Sequence, residues 1–143
     1  MEQLIALDIG EKRIGVAVTD PFGTYALPHG TIFRKTIKID LAEIAKIAAE
    51  RGAAKIVCGL PVNFDGSESR QTRDARFFID RLKEAVSIPV VTADERCTTI
   101  EAHRVLIEGN MRREKRKQYV DSIAATYILE GYLKKTKKEN EHV

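Results

Sequence analysis

Apolar residues at the start of the chain come in short blocks separated by turn residues. "LIALD" (Leu4 to Asp8) and "IGVAVT" (Ile14 to Thr19) are rich in Ile, Val, Leu and Ala, and "IGEKR" lies between them. This pattern predicts two neighbouring strands joined by a turn. Asp20-Pro21-Phe22-Gly23 is a second turn signal, and a third strand is expected near Gly30 to Arg34. Three strands with short turns make an antiparallel meander. The period then changes. Leu41, Ile44, Ala45, Ile47 and Ala48 recur at helical spacing, with Asp40 placed to cap the start and Gly52 to end the helix.

"AKIVCG" (Ala54 to Gly59) is a continuous apolar run of the kind buried on both faces of a sheet. A polar loop, "LPVNFDGSESR", follows. A helix is predicted from about Gln71 to Ala85, with Ala75, Phe78, Ile79 and Leu82 on its buried side. "IPVVTADE" (Ile88 to Glu95) is the next strand. "TTIEAHRVLIEGN" reads as a helix that opens on the capping box Thr98-x-x-Glu101. The last helix is expected from about Tyr119 to Leu133. The order β-β-β-α-β-α-β-α-α, with right-handed parallel crossovers, gives an α/β protein with a mixed five-stranded sheet and helices on both faces.

Composition narrows this little. A chain of 143 residues suits one domain, taken as 1–134, with 135–143 as a basic, frayed C-terminal tail. Hydrophobic residues make up 43% and charged residues 31%, as in a soluble globular protein. The net charge of +3 permits a polyanionic partner without requiring one. Basic residues cluster in "RREKRK" (Arg112 to Lys117) and "KKTKKE" (Lys134 to Glu139); the second is read as solvated tail. Cys58 and Cys97 form no C-x-x-C pattern and read as buried small apolar groups. The three histidines show no ligand spacing. No apolar run reaches the length of a membrane span, and the N-terminus lacks a basic signal-peptide region. A cytoplasmic protein without a membrane partner is expected.

The candidate chemistry lies in acids at strand ends. Asp8 ends the first strand, and Asp94-Glu95 end the last. In open α/β sheets, ligands collect outside the carboxyl ends of strands. Asp121 is placed in the first turn of the final helix, at the head of a stripe formed by Ala124, Ala125, Ile128 and Tyr132. A first-turn acid can simply complement the helix dipole, but this one heads the packed stripe. Three converging carboxylates would repel one another unless a hard cation lay between them. Mg²⁺ or Mn²⁺, which prefer oxygen ligands, suit such a set, and paired metals suit phosphodiester hydrolysis. Lys12 and Arg13 follow Asp8 directly. Arg96, Thr98 and Thr99 flank Glu95 at a helix start. Arg112, Arg113, Lys115 and Arg116 lead toward Asp121, where they could track a phosphate chain.

The stretches "LDIGEKRIGVAVTD", "GLPVNFDGS", "DERCTT" with Glu101-Ala102, and "VDSIAATYILEGYL" together resemble the YqgF family of RNase H-like proteins. These are the pre-16S rRNA nucleases, relatives of the Holliday junction resolvase RuvC. They follow the family's order from Leu4 to Leu133. The resemblance implies an RNase H-like fold whose second strand is antiparallel to the others. It implies a two-metal endo- or exonuclease with Asp8, Glu95 and Asp121 as catalytic metal ligands and Asp94 as an alternative to Glu95. It also implies an rRNA-precursor partner and maturation of the 16S rRNA 5′ end. This chain departs from the resolvase pattern at the end of the fourth strand, where Gly59-Leu60-Pro61 replace an acid. The competing readings are a resolvase-like DNA nuclease, which would act as a homodimer rather than a monomer, and a non-catalytic RNA-binding assembly factor. A nucleotide-binding module of the actin and sugar-kinase type would need a second lobe.

Overall fold

The computed structural model describes residues 2–60, 67–94 and 113–141. For Asp94 and residues 113–120 and 138–141 it describes the backbone only. The strands are β1 (Leu4–Ile9), β2 (Arg13–Thr19), β3 (Ala26–Phe33), β4 (Lys55–Leu60) and β5 (Val90–Asp94). The helices are α1 (Ile37–Arg51), α2 (Arg70–Ala85) and α3 (Arg113–Glu141). The helix expected from Thr98 lies outside the described residues. The sheet runs β3-β2-β1-β4-β5. β2 is antiparallel to both β1 and β3, while β1, β4 and β5 are parallel. This is the mixed five-stranded, RNase H-like sheet that the sequence implied.

Alternation along each strand divides the core. On β1, Ile5, Leu7 and Ile9 face α1 and α2, and pack with Ile14, Val16, Ile44, Ile56, Cys58, Phe78 and Leu82. Leu4 and Ala6 face α3, and pack with Ala17, Val57, Ala125, Ile128 and Leu129. Both clusters are buried. Cys58, in the first cluster, is fully buried, as expected; Cys97 lies outside the described residues.

Four details differ from the sequence reading. β3 begins at Ala26, several residues early; as the sheet-edge strand it accommodates Pro28. The cap of α1 is Thr36, whose hydroxyl accepts from the Ile39 N–H at 3.2 Å. Asp40 instead lies inside the helix, buried, where it accepts from the Lys35 N–H and pairs with Arg34. Gly52 ends α1 as expected. The largest difference is α3, which starts at Arg113 and continues to Glu141. It takes in most of the first basic run and the segment read as a tail. Lys, Arg and Glu are good helix formers, and no Pro interrupts them.

Candidate active site

The site starts from a row of the sheet with almost no side chains. Asp8 pairs in register with Gly15 of β2 on one side and Gly59 of β4 on the other, and Gly59 pairs with Ala93. Directly paired residues share a face, and this row has the parity of Leu4 and Ala6. Asp8 therefore stands on the α3 face between two glycines, half-buried at the end of β1.

The empty row lets α3 approach. A Cβ on Gly15 would lie 1.9 Å from the carbonyl oxygen of Asp121 and 2.9 Å from its Cα. The helix backbone thus rests directly on β2 at Asp121, beside Asp8. Below it, Ala124, Ala125, Ile128 and Leu129 are buried against the sheet. The stripe read from the sequence is present. Its position in the helix is not as expected, because α3 starts at Arg113 and Asp121 lies well inside it. A helix-dipole role, confined to the first turn, does not account for this acid.

Arg13 opens β2, two residues from Gly15 and on the same face. Its Nε donates to Asp121 Oδ2 at 2.7 Å, with side-chain exposures of 35% and 18%. The turn joining β1 to β2 is tight. The Gly10 N–H donates to the Arg13 carbonyl at 2.9 Å, and a Cβ at Gly10 would lie 2.7 Å from that oxygen. Arg34 braces the turn from the opposite side of the sheet. It donates to the Gly10 carbonyl at 2.9 Å, pairs with buried Asp40 and lies over the Phe78 ring. Lys12 is exposed at the turn. A cleft of about 490 Å³ opens on the α2 side of the turn, lined by Gly10, Glu11, Arg34, Arg70, Gln71 and Phe78 among others. It lies across the sheet from the carboxylates.

The structure brings Arg13 onto Asp121, and sets Asp8 in register with Gly15, the residue that the Asp121 backbone covers; Lys12 precedes Arg13 on the turn. Asp94 ends β5 in register with Leu60. Glu95, Arg96, Thr98, Thr99 and Arg112 lie outside the described residues. Arg113, Lys115 and Arg116 are in the first turns of α3, with their side chains outside the description. Among the described residues, no three His, Cys, Asp or Glu side chains gather as a metal site. Asp8 and Asp121, each placed against Gly15, are hard oxygen donors of the type Mg²⁺ and Mn²⁺ prefer. Gly15 and Arg34 escaped the sequence reading, in which Asp40 figures only as a helix cap and Gly59 only as a departure from the resolvase pattern. Gly15 carried a legible signal, since an isolated glycine inside a strand marks close backbone approach.

Comparison with known proteins bears on the family and the fold. Residues 2–135 match the family model described as "RuvX: Holliday junction resolvase". A relative from Clostridium novyi, named "Putative pre-16S rRNA nuclease", is 44% identical over 131 residues, 92% of this chain and 97% of its own. One of the same name from Moorella thermoacetica is 43% identical, covering 92% and 94%. Among solved structures, T. thermophilus RuvC in complex with a Holliday junction substrate superposes with TM-score 0.60 at 10% identity, covering 95% and 96%. The Fowlpox virus resolvase in complex with Holliday junction DNA gives 0.56 at 10% identity, covering 94% and 98%. At that identity the structural match shows the shared fold.

Proposed function

Since this chain belongs to the RuvX family, we propose that it is a divalent-metal-dependent nuclease acting on RNA, one that matures the 5′ end of the 16S rRNA precursor. The observation that carries the reading is that Asp8 and the backbone of Asp121 both adjoin Gly15 on the α3 face, in a row completed by Gly59, Ala93 and, at the sheet edge, Thr31. A fold alone needs no carboxylate there and no helix pressed onto a strand. Substrate and biology come from the names of the relatives, which are similar along nearly their whole length.

In this reading Asp8, Asp121 and Glu95 hold Mg²⁺ or Mn²⁺, with Asp94 as the alternative at the β5 end. Val91 and Ala93 of β5 pack toward α3, the side on which Asp8 stands. Two bound metals would supply an activated water and stabilise the leaving oxygen. Lys12 and Arg13 meet the phosphates next to the scissile bond. Arg96, Thr98 and Thr99 hold the strand beyond it. Arg112, Arg113, Lys115 and Arg116 track the backbone along the start of α3. A role in rRNA maturation, taken from the relatives' names, would place the protein in the cytoplasm. The family's description favours a second reading, a resolvase acting on four-way DNA junctions as a homodimer.

The test is cleavage of a 16S precursor 5′ leader and of a DNA four-way junction, each with Mg²⁺ or Mn²⁺, by wild type and Asp8→Asn. Cleavage of the leader by wild type, reduced roughly a thousandfold in the variant, is the expected result, with melting temperatures nearly equal. Cleavage of the junction alone would transfer the reading to DNA. Equal cleavage by both proteins would remove Asp8 from the site.

A further inference from the structure

Arg13 makes a contact that a simple phosphate-binding role does not explain. Its guanidinium bonds to Asp121 at 2.7 Å, although Asp121 is one of the two acids that define the site. The two side chains are 35% and 18% exposed, so the pair is better shielded than ordinary surface pairs, which are worth little. Both partners are held by backbone. Arg13 is pinned by its carbonyl's bond from Gly10, and Asp121 by the contact of its backbone with Gly15. The ion pair is therefore built into the site and is not a chance meeting of two long side chains.

We propose that Arg13 is a gate on the carboxylate site. It holds Asp121 until a substrate phosphate draws the guanidinium away, so that metal loading is coupled to substrate arrival. The inference rests on the nuclease reading above. A guanidinium is permanently charged and cannot be a metal ligand. It opposes a dication at the oxygen it already occupies. It also fits a phosphate as well as it fits a carboxylate, through the same forked donors. Arg13 is 35% exposed, so it can leave Asp121 for an anion arriving from solvent. Lys12, exposed on the same turn, adds to the attraction. By linkage, whatever draws Arg13 from Asp121 must raise the affinity of Asp121 for metal, and bound metal must raise the affinity for phosphate. Arg13 is a positioning residue in this scheme: it acts on the metal through Asp121.

The experiment is calorimetric titration of the full chain with Mn²⁺, with and without a nuclease-resistant 2′-O-methyl phosphorothioate RNA oligonucleotide. Wild type is compared with Arg13→Gln, Arg13→Lys and Asp121→Asn. Arg13→Gln should bind Mn²⁺ about tenfold more tightly than wild type. Arg13→Lys, which keeps the charge, should stay near wild type, and Asp121→Asn should lose binding. The oligonucleotide should tighten Mn²⁺ binding to wild type and do so far less in Arg13→Gln. A structural role would not raise metal affinity, so equal or weaker binding by Arg13→Gln overturns the gate while leaving the metal site standing. Binding of Mn²⁺ to none of the proteins overturns the metal reading and the gate together. If Arg13→Gln does not fold, the wild-type result decides, and an affinity indifferent to the oligonucleotide overturns the gate.

Discussion

On the α1–α2 side the sheet presents Ile5, Leu7, Ile9, Ile14 and Val16 to Ile44, Phe78 and Leu82. On the α3 side the same strands present Ala6, Gly15, Ala17 and Gly59 at the centre, and α3 answers with Ala124 and Ala125. One interface is thick and filled by large side chains. The other thins at Gly15 and Asp121, where backbone meets backbone, and fills again farther along with Val57, Ile128 and Leu129. Apolar burial scales with area, so the thick side carries more of the stability. The thin side carries the geometry: only where side chains are missing can a helix bring Asp121 down beside Asp8. A site built this way is sensitive to added atoms, whereas the opposite core is sensitive to lost ones.

Gly15→Ala should break the thin side most severely. The new methyl would land 1.9 Å from a helix carbonyl carbon's oxygen, a distance only backbone movement can relieve. Overpacking of this kind costs typically 1–3 kcal/mol and sometimes more, and here the displaced atoms belong to Asp121. Cleavage should fall by roughly a hundredfold or more, because small misplacements at a reacting centre are costly. Thermal melting and cleavage rate should therefore fall together. Full activity in a folded Gly15→Ala protein would mean that close contact between β2 and α3 is not needed by the site.

Leu82→Ala puts the contrast from the other side. Leu82 is fully buried between α2 and the sheet, and its truncation should cost about 2–5 kcal/mol. Cleavage per folded molecule should stay within a few-fold of wild type at a temperature where the variant remains native. Denaturant unfolding followed by assay separates the two quantities. If activity fell as steeply as in Gly15→Ala, the two faces would not be independent.

The division was partly legible in the sequence. Alternation in "LIALDI" and "RIGVAVT" announces strands, and the helical spacing from Leu41 announces α1. Asp121 was legible because an acid at the head of an apolar stripe is out of place. What sequence hid was mostly three-dimensional. β3 contains Pro28, His29 and Gly30, and only its place at the sheet edge makes a strand of them. The charged run from Arg113 precedes the helix expected from about Tyr119. Charge reports exposure to solvent, whereas those residues favour helix. Asp40 looked like a cap because it precedes an apolar run, but Thr36 takes that role and Arg34 pairs with the acid. The bond from Arg13 to Asp121 spans 108 residues, and no local pattern encodes it.

The smallest effect sharpens the comparison without touching the site. Cys58 belongs to the thick side, fully buried in the middle of β4. Burial pushes its thiol up to about 12 from an ordinary 9.0. A raised value in the folded state means stability is intact below the unfolded value and is lost as pH rises above it. Between pH 9 and about 12 the unfolded chain ionises this thiol and the folded chain does not. The loss should approach about 1.4 kcal/mol per pH unit through that window. Urea unfolding at pH 8, 9 and 10 should show that slope in wild type, and a shallower one in Cys58→Ala. Cys58→Ala should leave cleavage at pH 8 nearly unchanged, because the thiol faces α1 and α2 rather than the carboxylates. Equal slopes in the two proteins would mean that water reaches the thick side, and the contrast between a sealed core and an open site would then have to be redrawn.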